Sequence, residues 1–242
     1  VLALTAPLWL KWWEPTLFRT LNGHFGVLPD LFWSTLSLLG TAWAVYALTA
    51  PALWRAPRLL LAWICAAPAA GLLATPLKKL FESNRPLEAL GPEGLNLVGD
   101  PLFIGSMPSG HTLTAFAGAT AIYFSLSPEH RSRWLWLFVV AFGVACSRVA
   151  VGAHWPADTA VGAAMGILAG LVGAWLAGKI PERQLRPQSW LMRAVALLGV
   201  YTVYFLCTDE MGFDINLPAQ YLLAAFMSVC LVIFVRKSLR AA

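Results

Sequence analysis

The stretch Ser147-Arg148-Val149-Ala150-Val151-Gly152-Ala153-His154-Trp155-Pro156-Ala157-Asp158 separates two apolar runs, one near residues 134–153 and one near 156–178. Each run is long enough to cross a bilayer as a helix, so the stretch reads as the polar joint between two spans. Proline suits the first turn of a helix, where an N–H would have no partner anyway. With Pro156 opening the second helix, His154 stands just before it and Asp158 just inside it. Their i,i+4 spacing lets the carboxylate hold one imidazole nitrogen, fix the tautomer and leave the other nitrogen basic. Ionisable groups at membrane depth are costly, so Arg148, His154 and Asp158 together mark a functional site by default. The blander alternative is a loop with one structural ion pair and a capping histidine.

Composition supports spans on either side. The chain has 242 residues, of which 59% are hydrophobic and 12% charged, with a mean hydropathy of +0.67. That is too apolar for a soluble domain of this size and points to an all-α, polytopic membrane bundle. Spanning runs lie near 29–50, 58–79, 110–127, 134–153, 156–178, 190–207 and 217–235. The first twenty residues, with Trp9, Trp12 and Trp13 among Lys11, Glu14 and Arg19, read as an interfacial helix, the alternative being a truncated or distorted first span, and not as a signal peptide. Six to seven spans plus that helix form one membrane domain over 1–242. The net charge of +5 comes without any basic run long enough to track nucleic acid. Cys65, Cys146, Cys207 and Cys230 have no metal-ligand or CxxC spacing and read as small buried residues without disulfides.

Charge sorts by side. Arg55, Arg58, Arg131, Arg133, Lys179, Arg183, Arg186, Arg193, Arg236, Lys237 and Arg240, eleven of the 17 basic residues, fall on one side of the spans. By the positive-inside rule that side, with the C-terminus, is cytoplasmic. The opposite loops, 80–108 and 208–216, are acidic, yet Lys78, Lys79, Arg85 and Arg148 sit at span ends on that side. Cations placed against the topological bias call for an anionic ligand.

Two further stretches complete such a site. Lys78 is followed after six residues by Arg85-Pro86, where proline stiffens the backbone from which Arg85 projects. Pro108-Ser109-Gly110-His111 precedes the third span; Ser109 can cap that helix, Gly110 allows close approach, and free N–H groups there suit phosphate oxygens. Taken singly, these read as a snorkelling lysine, a plain cap and an interfacial histidine. Together they supply a nucleophile, an orienting carboxylate, a second proton donor and an anion cradle, the parts of a phosphoryl-transfer site.

The three stretches resemble the signature of the type 2 phosphatidic acid phosphatase (PAP2) superfamily, KxxxxxxRP, PSGH and SRxxxxxHxxxD, over a core of about 28–178, with two additional spans at 190–235. The resemblance implies His154 as the nucleophile that becomes a phosphohistidine, oriented by Asp158, with His111 protonating the leaving oxygen. It implies that Lys78, Arg85, Ser109, Gly110 and Arg148 bind the phosphate, with no metal and no cofactor. Vanadium haloperoxidases share the signature but are soluble. The function it implies is a lipid phosphate or pyrophosphate phosphatase acting at the extracytoplasmic face of the plasma membrane (the bacterial inner membrane), with undecaprenyl pyrophosphate or lipid A phosphates as leading substrates. Alternatives are phosphatidylglycerophosphate or phosphatidic acid hydrolysis, lipid-to-lipid phosphotransfer, and a non-catalytic lipid binder or transporter. The last finds no support in paired, polar mid-membrane helices. Gly162, Gly166 and Gly170 read as a close-packing stripe, Pro68 and Pro76 as kinks aiming Lys78, and Tyr201, Tyr204 and the Asp209–Asp214 loop as shaping a lipid entrance.

Overall fold

Helices account for all the regular structure in a computed structural model that describes residues 14–240; no strand occurs among the described residues. Helix α1 (Glu14–Phe25) leads into α2 (Asp30–Leu38) and α3 (Ala42–Thr49). The short α4 (Ala52–Arg55) and the long α5 (Pro57–Phe81) follow, then α6 (Pro86–Leu90) and an extended loop to α7 (Gly110–Ser125). After α8 (Pro128–Arg131) come α9 (Trp136–Ala150) and α10 (Pro156–Lys179), and the chain closes with α11 (Trp190–Thr208) and α12 (Leu217–Arg240).

Among the described residues, five helices are long and apolar enough to cross a membrane, six if a bent pair counts as one span. That pair corrects the single span expected over 29–50: α2 and α3 meet at 75°. Thr41 restarts the helix by accepting a hydrogen bond from Ala44 N. Gly40 sits at the bend because a Cβ there would come within 2.7 Å of Val144 and 2.9 Å of His111. A second correction concerns the span expected over 134–153, whose helix ends at Ala150. Ala153 N and His154 N both bond to Arg148 O, and Gly152 takes φ +77°, turning the chain out of the helix. Of the interfacial helix expected over the first twenty residues, Trp9, Lys11, Trp12 and Trp13 lie outside the described residues.

Helix α10 is the centre of the bundle, packed against α7 and α5, with α9 packed mainly on α7. The glycine stripe explains the closeness. A Cβ on Gly162, Gly166 or Gly170 would stand 2.6, 2.5 or 2.6 Å from a carbonyl oxygen of α7, and one on Gly173 2.3 Å from Ala62 O of α5. Dispersion and close backbone approach hold helices together where lipid removes the hydrophobic drive. The α11–α12 hairpin packs on α3, burying Tyr46, Met192, Met227 and Phe234. Leu72, Val139, Phe142, Trp175, Leu197 and Leu222 face outward, as a lipid-facing surface requires. All four cysteines are free thiols; only Cys230 is buried, and Cys207 is exposed, contrary to the expectation that all four are interior.

Candidate functional site

Each signature stretch ends a long helix at the same end of the bundle. Pro156 is the first residue of α10 and Asp158 the third, so the carboxylate turns back over the helix start. Asp158 Oδ2 accepts from Trp155 N at 2.9 Å and from the Ser106 hydroxyl, and lies 3.2 Å from His154 Nδ1. A carboxylate only accepts, so Nδ1 carries the proton and Nε2 presents its lone pair. Arg85 Nη1 donates to that Nε2 at 3.2 Å. His154 is 2% exposed, and burial lowers its pKa to about 4, against the pull of Asp158. The imidazole is therefore neutral, with its free nitrogen beside a cation, across the neutral pH range.

Arg85 and Lys78 are fastened to backbone, and Arg148 to a serine hydroxyl. Arg85 also donates to Ile104 O at 2.9 Å, Ala153 O at 2.9 Å and Gly105 O at 3.3 Å. Lys78, at the end of α5, reaches Gly105 O at 3.2 Å. Pro68 and Pro76 do lie inside α5 before it. Arg148 Nη1 donates to Ser37 Oγ at 3.0 Å, while its buried Nε has no partner among the described residues. His111 is within electrostatic reach of Arg148, His154, Arg85 and Lys78, and together with Arg148 it lines a cavity of about 430 Å³. Ser109 caps α7, accepting from Thr112 N at 3.5 Å and the Thr112 hydroxyl at 3.0 Å. Its own N–H bonds Asp158 O at 3.0 Å and so ties the second stretch to the third. A Cβ on Gly110 would meet nothing within 4 Å, so the start of α7 is open at that point.

Several residues that matter here carry no local signal. Ser37, on the bent α2–α3 pair, holds Arg148 and also bonds Ser147 Oγ at 2.9 Å. Ser106 holds Asp158. Asn22 of α1 donates to Val149 O and Ala150 O at 3.0 Å each and to Asn96 O at 2.9 Å, bracing the end of α9. Phe18 packs edge-on against Trp155. Helix α1 is thus a brace on the loop that carries His154.

Glu14 opens that brace. Its Oε1 accepts from Ala157 N at 2.8 Å, at the start of α10. Burial raises its pKa to about 7, opposed by the Ala157 N–H and assisted by the Asp158 charge. The folded chain then keeps a proton that the unfolded chain releases near the ordinary 4.5, so this group's stabilisation is full below that pH and is lost as pH rises through 7. Relative to Glu14→Gln, the wild-type thermal midpoint in detergent should fall as pH climbs from 4.5 to 8, by the equivalent of about 1 kcal/mol after discounting for partial solvent access. Parallel pH profiles would rule the titration out.

The described residues thus form an all-α bundle with apolar spans, a buried His–Asp pair and three side-chain cations at one end. The match to the PAP2 superfamily covers residues 58–182, more than half the chain, and the chain belongs to that superfamily. It is 43% identical over 79 residues to a lipid A 1-phosphatase of Porphyromonas gingivalis, covering 31% of this chain and 17% of that protein. It is 40% identical over 75 residues to the bacitracin transport permease protein BcrC of Bacillus licheniformis, covering 31% and 35%. It is 38% identical over 74 residues to an undecaprenyl-diphosphatase of Sulfolobus acidocaldarius, covering 29% and 30%. These matches span about a third or less of the relatives' lengths. The crystal structure of Aquifex aeolicus LpxE superposes with a TM-score of 0.56 at 29% identity, covering 66% of this chain and 93% of that one.

Proposed function

We propose that this protein is a metal-independent lipid phosphatase working through a phosphohistidine at the extracytoplasmic face, on lipid A phosphates or undecaprenyl pyrophosphate. The observation that carries the reading is the His154–Asp158 pair, whose free imidazole nitrogen points at the Arg85 guanidinium. A phosphate drawn to Arg85, Lys78 and Arg148 brings its phosphorus to Nε2. Attack forms the N–P bond and breaks the P–O bond to the lipid, and the leaving oxygen takes a proton from His111. The ring becomes cationic as it is phosphorylated, and Asp158 stabilises it through Nδ1–H. Water then attacks phosphorus, gives its proton to His111 and frees Nε2. Three fixed cations, the Ser109 hydroxyl and the Gly110 N–H neutralise the equatorial oxygens, the task Mg²⁺ performs in many phosphoryl transferases.

Sidedness follows the charge. The site lies at the opposite end from Arg58, which pairs with Glu182 and donates to Ala177 O at 2.6 Å. With the basic end cytoplasmic, His154 faces outward, where a lipid phosphate reaches it with its tails still in the bilayer. Among the relatives, the names lipid A 1-phosphatase and undecaprenyl-diphosphatase both describe phosphates displayed on such lipids. The test is phosphate release by purified protein from a panel of lipid A, undecaprenyl pyrophosphate, phosphatidic acid and phosphatidylglycerophosphate. Release from at least one should persist in EDTA and be blocked by vanadate, which mimics the trigonal-bipyramidal phosphorus. Activity lost in EDTA and restored by Mg²⁺ would contradict the reading.

A further inference from the structure

The two C-terminal spans lie beyond the family match at 58–182, yet the loop between them reaches the site. Met211, Gly212 and Phe213 form one wall of the cavity whose lining includes His111 and Arg148, and Asp100 and Asp209 line it as well. The Phe213 ring lies 5.7 Å from the Arg148 guanidinium, a cation–π contact that covers one face of the arginine. Arg148 lines the cavity, is 3% exposed and keeps an unpartnered Nε among the described residues, so a buried guanidinium short of a partner borders this space. The wall is anchored. Asp100 N donates to Gly212 O at 3.0 Å, and Asn216 Nδ2 donates to Ser34 O at 2.8 Å. Gly99 holds φ +84° and leaves no room for a Cβ, which would stand 2.3 Å from Gly212 O. The same loop is acidic beyond the cavity. The hydrogen bond and charge of Asp214 raise the pKa of Glu210, with burial, Asp100 and Asp209 adding to the shift.

We propose that the 209–213 loop, with Asp100, selects the headgroup: it accepts a single phosphate on a hydroxyl-bearing headgroup and disfavours a diphosphate. The inference rests on the phosphatase reading above and deepens it. One phosphate satisfies the arginine. A second, bonded to the first, has to sit among carboxylates, and each such repulsion in a partly hydrated site weakens binding by roughly tenfold. Hydroxyls of a sugar donate to the same carboxylates, which only accept. Attraction and repulsion therefore discriminate in the same direction.

The test compares kcat/KM for lipid A carrying one phosphate with that for undecaprenyl pyrophosphate, in the wild type and in the Asp100→Asn, Asp209→Asn double variant. The wild type should favour the sugar monophosphate by tenfold or more, and the double variant should shrink that ratio by roughly tenfold to a hundredfold, mainly through the KM of the diphosphate. Raising ionic strength on the wild type alone should narrow the ratio in the same direction, which needs no variant to fold. A wild type that favours the diphosphate, or a ratio that neither salt nor the double variant moves, overturns the headgroup inference and leaves the phosphatase intact. Turnover of neither lipid by the wild type overturns both.

Discussion

His154→Ala is expected to lower turnover by roughly 10⁴- to 10⁶-fold while the protein still folds and extracts normally. The large effect follows from the geometry. The Nε2 lone pair is the one nucleophilic atom held beside Arg85, and alanine removes it along with the partner of Asp158. Asp158→Asn should cost less, roughly 10²- to 10⁴-fold. Its Oδ can still accept from Trp155 N or Ser106, but the amide no longer stabilises a charged imidazolium. Phosphate release from the panel lipids, measured side by side for both variants, checks the order. Comparable losses would place Asp158 in fold maintenance.

Gly166→Ala is expected to destabilise the bundle by about 1 to 3 kcal/mol and to cut activity with it. A methyl there meets the Leu113 carbonyl at 2.5 Å and Phe116 Cβ at 2.8 Å, so helix α10 must move off α7. The same displacement stretches the bond from Ser109 N to Asp158 O at 3.0 Å, which ties the second signature stretch to the third. Gly178→Ala is the control: its Cβ meets nothing within 4 Å, and helix propensity alone makes it neutral to stabilising by up to about 1 kcal/mol. Thermal midpoints and kcat on the same preparations read both. Equal midpoints for the two variants would show that the stripe does not set the packing.

The sequence revealed what depends on short spacing. Pro156 opens α10, His154 and Asp158 meet across one turn, and Ser109 caps α7, because each is decided within a few residues. The apolar runs fixed the spans, since hydropathy over about twenty residues is a bulk property. The bend at Gly40 has no local signature, because both halves of 29–50 are apolar and its steric reason is His111 and Val144, far along the chain. Ser37, Ser106, Asn22 and Phe213 were illegible for the same reason. Their partners are brought in by tertiary packing, as Ser37 is to Arg148 across 111 residues. Glu14 was visible only as an interruption of an apolar segment, and its role required the start of α10 to fold against it. The sequence suggests only that the Asp209–Asp214 loop shapes a lipid entrance; in the structure Asp209, Met211 and Phe213 line the cavity beside His111 and Arg148.

The central claim is that phosphorus passes through His154 Nε2. A rapid-quench experiment with ³²P-labelled lipid phosphate, stopped in alkali and digested, tests it most directly. The account predicts a burst of label approaching one per active protein, stable in alkali and labile in acid, on the peptide that carries His154 and absent from His154→Ala. Phosphate release with no labelled protein at any time point, or with acid-stable label on another residue, would contradict it.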